Sequence, residues 1–327
     1  MTTPTKKQQE ERIQIFAEEK RDVLKVDSTE ALLIIQKSVF GGETSIENLP
    51  NWLDQRFIPN RVEINRDEYA KMCVNALKSV SNIAATDYGT SRQRDFGQLW
   101  ADMIRGYLGE IAFVKFLKNK WGIEADLGHE KGALSDYLPL DIHEVRRPPE
   151  NFRKPKINIS IKTTKWNGIW LDIPGEQFSH SDVHVFVKVG VGRDHLFAFF
   201  KEISVFDKIL KIGEDVGSLD RDESNRLLKT LPSFSPINAY ICGFADKSSD
   251  YEELSYSGKT GRKNYTIEGW NGPIRSGDLE KLKVKESIQG KAEFLGIGKF
   301  SHEQGYLFNA GSLKWNMNDW DSVIKKL

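Results

Sequence analysis

Apolar and polar positions alternate over Ile157-Asn158-Ile159-Ser160-Ile161-Lys162-Thr163, a period of two that predicts a strand with the isoleucines turned to the core. Asn158, Ser160 and Lys162 then share the opposite face. Val183, Val185, Val187 and Val189 repeat the alternation, Ile237 to Phe244 is strand-like, and His195 to Lys201 reads as a further strand. Leu138, Leu140 and Ile142 alternate as well, with Asp141 on their other side. Thr164-Lys165-Trp166-Asn167-Gly168 leads into Ile169-Trp170-Leu171-Asp172-Ile173, the pattern of a hairpin.

Other stretches carry the helical period. Residues 1–39 read as helical and largely polar, and 66–83 repeats Tyr69, Met72, Cys73, Ala76, Leu77 and Val80 at three-to-four spacing. From Gln98 to Lys120 a stripe of Leu99, Met103, Gly106, Glu110, Phe113 and Leu117 predicts a core helix with a carboxylate inside its apolar face. Such a carboxylate is costly unless it is paired, hydrogen-bonded or metal-bound. Ile203 to Ile212 reads as a short amphipathic helix. Ala84 to Gly97 is a polar loop, and Pro232, Ser233, Ser235 and Pro236 mark a boundary. The expected organisation is a helical N-terminal region (1–97), a core (98–231) and a β-rich C-terminal extension (232–327). The fold class is α/β, a mixed central sheet flanked by helices.

Composition adds limits more than identity. Of 327 residues 39% are hydrophobic and 29% charged, with 8 Trp and 18 Phe, which describes a chain that folds around a sizeable core. Met1 to Gln8 lacks the apolar stretch of a signal peptide, and no run is long and apolar enough to span a membrane. Cys73 and Cys242 stand alone and far apart, so a cytoplasmic location is expected and a disulfide scaffold or zinc site is not. Basic and acidic residues balance at 47 each, so any affinity for phosphate must come from local patches. No Walker loop, dinucleotide fingerprint or nucleophile elbow occurs.

The chemistry lies in a combination. Glu110 on a helix, Asp136 or Asp141 beside a strand, and the Ser160–Lys162 face of the next strand follow one another in order. Taken singly each is ordinary, since a lysine at a strand end commonly snorkels. Together they suit Mg²⁺-assisted phosphodiester hydrolysis, in which carboxylates hold the ion and a lysine stabilises developing charge. If the hairpin pairs about Trp166, Lys162 stands opposite Trp170 and Ser160 opposite Asp172, which would add a carboxylate to that face. Glu144 and Glu176 are further candidates.

This pattern resembles the PD-(D/E)XK nuclease superfamily over roughly residues 98–201. The resemblance rests on Gly106-Tyr107-Leu108-Gly109-Glu110, on Ser135-Asp136 or Leu140-Asp141, and on Ile159-Ser160-Ile161-Lys162-Thr163. It implies a restriction-endonuclease-like core, a metal-binding aspartate at Asp136 or Asp141, a catalytic lysine at Lys162 and a helix carboxylate at Glu110. Ser160 departs from the family, which usually has Asp or Glu there. The function implied is a type II restriction endonuclease that cuts double-stranded DNA with Mg²⁺. A structure-specific repair or recombination nuclease, or a non-catalytic DNA-binding protein of the same fold, are the alternatives. A palindromic site calls for a two-fold homodimer. Expected DNA contacts are Arg92 and Arg94, the basic connection of Arg146, Arg147, Arg153 and Lys154, and the patch of Lys259, Arg262 and Lys263.

Overall fold

The computed structural model describes residues 5–87, 95–128, 141–192, 194–247, 252–260, 263–272, 285–286, 292–294, 298–299 and 305–327. The chain opens with helices α1 (Lys6–Leu24), α2 (Ser28–Phe40) and α3 (Leu49–Trp52), then strand β1 (Arg61–Ile64) and the long helices α4 (Arg66–Asp87) and α5 (Phe96–Trp121). Strands β2 (Glu124–Asp126), β3 (Glu144–Arg146), β4 (Ile159–Lys165) and β5 (Trp170–Pro174) follow, then helix α6 (Gly175–His180) and strand β6 (Val183–Val189). Three helices, α7 (His195–Glu202), α8 (Val205–Asp215) and α9 (Arg221–Thr230), precede β7 (Ile237–Asp246). The remainder holds β8 (Glu252–Thr260), β9 (Lys263–Gly272), the short β10 (Lys285–Glu286), β11 (Ala292–Phe294) and β12 (Gly298–Lys299), then β13 (Gly305–Asn309) and helix α10 (Met317–Ile324).

The protein is mixed α/β. Its central sheet has the order β1-β7-β6-β4, with β4 parallel to β6 and the other pairs antiparallel. A parallel neighbour demands a crossover, and β5 with α6 supplies it. One face of this sheet, through Ile159, Ile161, Val185, Val187, Ala239 and Ile241, packs on Leu108, Ala112, Phe113 and Phe116 of α5 and on Trp320 of α10. The other face carries Phe186, Tyr240 and Cys242 against the N-terminal helices and Leu171, Ile173 and Phe308 of a second sheet, ordered β5-β13-β9-β8. Both faces are therefore covered, and every residue of β6 is buried. A bulge between Phe186 and Val187 shifts the register of β7, so that Ile241 and Phe244 reach the same core across Gly243. Gly243 has φ +135°, and a Cβ there would come within 3.1 Å of the Leu313 Cβ, so glycine is required.

Several expectations change. His195 to Glu202 is a helix, α7, because Leu196, Phe199 and Phe200 keep helical spacing and reach the core together. Ile142 and His143 are not in a strand, which begins only at Glu144; Leu138 and Leu140 lie outside the described residues. The hairpin does not form either. The 164–168 turn folds tightly, with a Cβ at Gly168 falling 2.8 Å from the Thr164 Cβ, and Trp166 is buried among the N-terminal helices. This sends β5 into the second sheet, where Asp172 pairs in register with Leu307. Lys162 lies opposite Phe186 and Ser160 opposite His184.

Candidate functional site

Among the described residues β4 has one strand neighbour, β6, and its other edge is taken up locally by Asp141. The Asp141 backbone N–H donates to the Ile159 carbonyl at 3.1 Å, and its carboxylate accepts from the Ile161 N–H. An aspartate so fixed places its carboxyl beside the middle of β4, near Lys162. The Ser160 hydroxyl also hydrogen-bonds to Asp141.

Helix α5 brings the second carboxylate. Asp95 caps its start by accepting from the Gln98 N–H at 2.8 Å, and Gly122 ends it in the left-handed conformation at φ 65°. Its buried face runs through Leu99, Ile104, Leu108, Gly109, Ala112, Phe113, Phe116 and Leu117, so Leu99, Phe113 and Leu117 of the predicted stripe are buried while Met103, Gly106 and Glu110 border it. Glu110 therefore stands half-buried at the border of that face instead of inside it. Helix and strand approach closely at Gly109, where a Cβ would come 2.8 Å from the Thr163 Cβ, and the Thr163 hydroxyl donates to the Gly106 carbonyl at 3.2 Å. Glu110, the next residue, is thereby held against β4.

The charges feel one another. Burial and the nearby Glu110 carboxylate push the Asp141 carboxyl up to about 7, against the pull of the Ile161 N–H, Lys162 and Ser160. Burial pushes the Lys162 ammonium below the ordinary lysine range, opposed by Asp141, Asp172 and Glu110. Asp172 thus joins the group, by the packing of the second sheet and not by hairpin register. Lys162 donates a hydrogen bond to the Gln177 side-chain carbonyl on α6. The site is thus one half-buried lysine with three acidic neighbours at a strand edge. No protein-family model, curated protein or solved structure matches the chain.

Among the described residues no three His, Cys, Asp or Glu side chains form a group able to hold a metal ion. Asp136, Arg92, Arg94 and Arg262 lie outside the described residues. Glu144 pairs in register with Asp126 in a separate two-stranded sheet of β2 and β3. Arg146 is occupied, bonded to Glu124 at 2.6 Å and lying over the Phe152 ring at 4.5 Å. Arg147 donates to the Ile324 carbonyl at 3.3 Å, while Arg153 and Lys154 are exposed beside it. Lys259 and Lys263 stand near the turn of the β8–β9 hairpin, opposite Asn264 and Thr260.

Three features escape a reading of the sequence. Gln177 meets Lys162 only because α6, packed on β5 and β13, carries it there. His184 is fully buried and stacks on Phe178 at 5.3 Å; burial, then Lys162 and Lys247, lower its pKa to about 3. The third is a buried ionic cluster. Lys188 bonds Glu43 at 2.5 Å, Tyr240 donates to the same carboxylate at 2.8 Å, and Arg56 donates to the Cys242 and Ala310 carbonyls. A lysine inside the valine-rich β6, between Val187 and Val189, is the one available signal.

Proposed function

We propose that this protein is a Mg²⁺-dependent endonuclease of the restriction-endonuclease type, acting on double-stranded DNA. The observation that carries the reading is the meeting of Asp141, Glu110 and Lys162 at the edge of β4, where the Asp141 carboxylate accepts from the Ile161 N–H and burial, with Glu110 beside it, raises that carboxyl. Two carboxylates that repel each other in a half-buried setting suit a hard divalent cation, and Mg²⁺ usually takes one or two carboxylates while waters and substrate phosphate complete its shell. Asp141 and Glu110 would hold the ion, with Asp172 nearby. When bound, it would polarise a phosphate and lower the pKa of an attacking water. Lys162, kept in place by Gln177, would face the phosphate and stabilise the charge that develops there. Arg153 and Lys154, exposed on the chain leading into β4, are proposed to grip the DNA backbone.

Ser160 favours a second reading, a DNA-binding protein of the same fold without cleavage, because a hydroxyl sits where a third carboxylate would complete the site. A structure-specific repair nuclease is the remaining alternative. Incubation with plasmid and phage DNA, with Mg²⁺ and with chelator, separates all three. Discrete Mg²⁺-dependent fragments are expected, lost at least about 100-fold in Lys162→Ala. Cleavage only of nicked, mismatched or branched DNA would indicate repair. Retention of DNA with no cleavage under any divalent ion would leave the binding protein.

A further inference from the structure

A cavity of about 600 Å³ opens where the end of α1, the start of α2 and β1 meet the C-terminal end of β6 and the start of β7. That is the size of a small-molecule pocket. Its charged lining is Arg21, Lys25, Asp22, Asp27, Glu30 and Glu63, four acids against two bases. The bases are already engaged. Arg21 lies 3.0 Å from Glu18 and 3.6 Å from Asp22, and Lys25 lies 3.5 Å from Glu63. Asp27 caps α2 by accepting from the Glu30 N–H at 2.8 Å.

Glu30 is left without a cation. Half-buried on the cavity wall, its Oε1 accepts the Trp166 indole N–H at 2.5 Å, and it makes no ion pair among the described residues. Burial raises its carboxyl, against the pull of Trp166 and with Asp27 adding to the rise. Asn238 supplies a second, independent signal. It is 5% exposed and lines the same cavity, and its Nδ2 donates to the Lys25 carbonyl at 3.1 Å. That bond fixes the amide, and Oδ1, turned away from it, is buried with no hydrogen-bond partner among the described residues. An orphaned buried acceptor is rare in a folded protein. Gly190 joins the two groups. Its N–H donates to the Asn238 carbonyl at 2.8 Å, and a Cβ on it would fall 2.6 Å from Glu30 Oε1.

We infer that this cavity binds a small organic cation of the diamine or guanidinium class, with its charge on Glu30 and an N–H donated to Asn238 Oδ1. The acceptors select that class. One oxygen of Glu30 is committed to Trp166, which leaves a metal ion a single free carboxylate oxygen. Among the described residues no three His, Cys, Asp or Glu side chains form a group able to hold such an ion. An ammonium or guanidinium brings its own donors, and each N–H needs only one acceptor. The planar fork of a guanidinium suits two acceptors that flank one residue, as Glu30 and Asn238 flank Gly190. The surplus of acids in the lining draws a cation in the same sense. No residue of the β4 site takes part, so the inference stands whether or not the chain cuts DNA.

Isothermal titration calorimetry of the full chain, without DNA or Mg²⁺, tests it with putrescine and agmatine as probes. Binding is expected between tens of micromolar and about one millimolar for at least one of them, a range set by their size. Tetramethylammonium, a cation with no N–H, should bind at least about tenfold more weakly. Glu30→Gln keeps an acceptor for Trp166 and removes the charge, so affinity should fall at least about tenfold. The melting temperature of that variant without ligand should not fall, which separates a lost ligand from a lost fold. Glu63→Gln, at an exposed position, frees Lys25 beside the cavity and should weaken binding about threefold. Failure of both amines to bind below about 10 mM, equal binding of tetramethylammonium, or a Glu30→Gln variant that binds like the wild type overturns the inference. Binding of N-acetylarginine amide alone would assign the cavity to an arginine side chain of another protein and overturn the small-molecule assignment.

Discussion

Lys188 and Glu43, 145 residues apart, meet at 2.5 Å with side chains 2% and 0% exposed. The pair pins the loop after α2 to the second face of the central sheet. Burial alone would raise the Glu43 carboxyl, but Lys188, Arg56 and the hydrogen bond from Tyr240 outweigh it and hold it below the ordinary range. Removing one partner strands the other charge in the interior, which costs more than the intact pair contributes.

Lys188→Met is therefore expected to destabilise the fold by about 3–5 kcal/mol. Lys188→Met combined with Glu43→Leu should recover much of that loss, because both charges then leave the core together. Urea unfolding of the two single variants and the double variant measures the coupling. Equal and additive losses would mean that the two charges act independently.

The same pair shows why part of the fold was hidden in the sequence. The alternation of β6 fixes Val183, Val185, Val187 and Val189 on one face, and that face is legible. Its other residues, His184, Phe186 and Lys188, look like an outward side until α1, α2 and β5 cover them, and nothing local announces that cover. Helix α5 and strand β4 were legible because each buries one clear face. The partner of β5 was not, since the turn at Trp166 is short enough for a hairpin and the competing pull is the burial of the Trp166 ring. At the site, Glu110, Asp141 and Lys162 come from chemistry and order in the chain, whereas Gln177 depends on how α6 packs.

Gly109 tests how tightly helix and strand must approach. A Cβ there would fall 2.8 Å from both the Cβ and Cγ2 of Thr163, on a side chain whose hydroxyl is committed to Gly106. Gly109→Ala should force α5 away from β4 and cost about 1–3 kcal/mol by overpacking. Thr163→Ala in the same chain should relieve part of it. Any Mg²⁺-dependent cleavage should fall further than stability does, because Glu110 moves with the helix. Thermal melts and plasmid digestion of both variants give the comparison.

His184 sets a dependence on acid. Its pKa is lowered from 6.5 to about 3 in the folded chain, so between those values the unfolded chain binds a proton that the folded one excludes. The contribution is fully present above pH 6.5 and is lost as the pH falls toward 3, to an extent on the order of a few kcal/mol. Asp141, raised in the fold, works in the opposite sense over part of that range, so the informative quantity is a difference. His184→Phe keeps the stacked ring and cannot charge, and its stability relative to wild type should rise steadily from pH 7 to pH 4. Parallel urea midpoints for the two proteins would refute the assignment.

Gln177 tests what the lysine does. Burial pushes the Lys162 ammonium down, and the Gln177 carbonyl accepts a hydrogen bond from it, which favours the charged form. If cleavage needs the charged ammonium, activity is lost as the pH rises through the Lys162 pKa. Gln177→Leu removes an acceptor from the charged form, so the alkaline limb of the pH–rate profile should move to lower pH. Gln177→Glu adds a negative charge beside the ammonium and should move the same limb to higher pH. The acidic limb should stay fixed in both. A merely structural role for Gln177 would lower the whole profile without sliding it, so an alkaline limb unmoved in both variants would overturn the claim that Gln177 tunes Lys162.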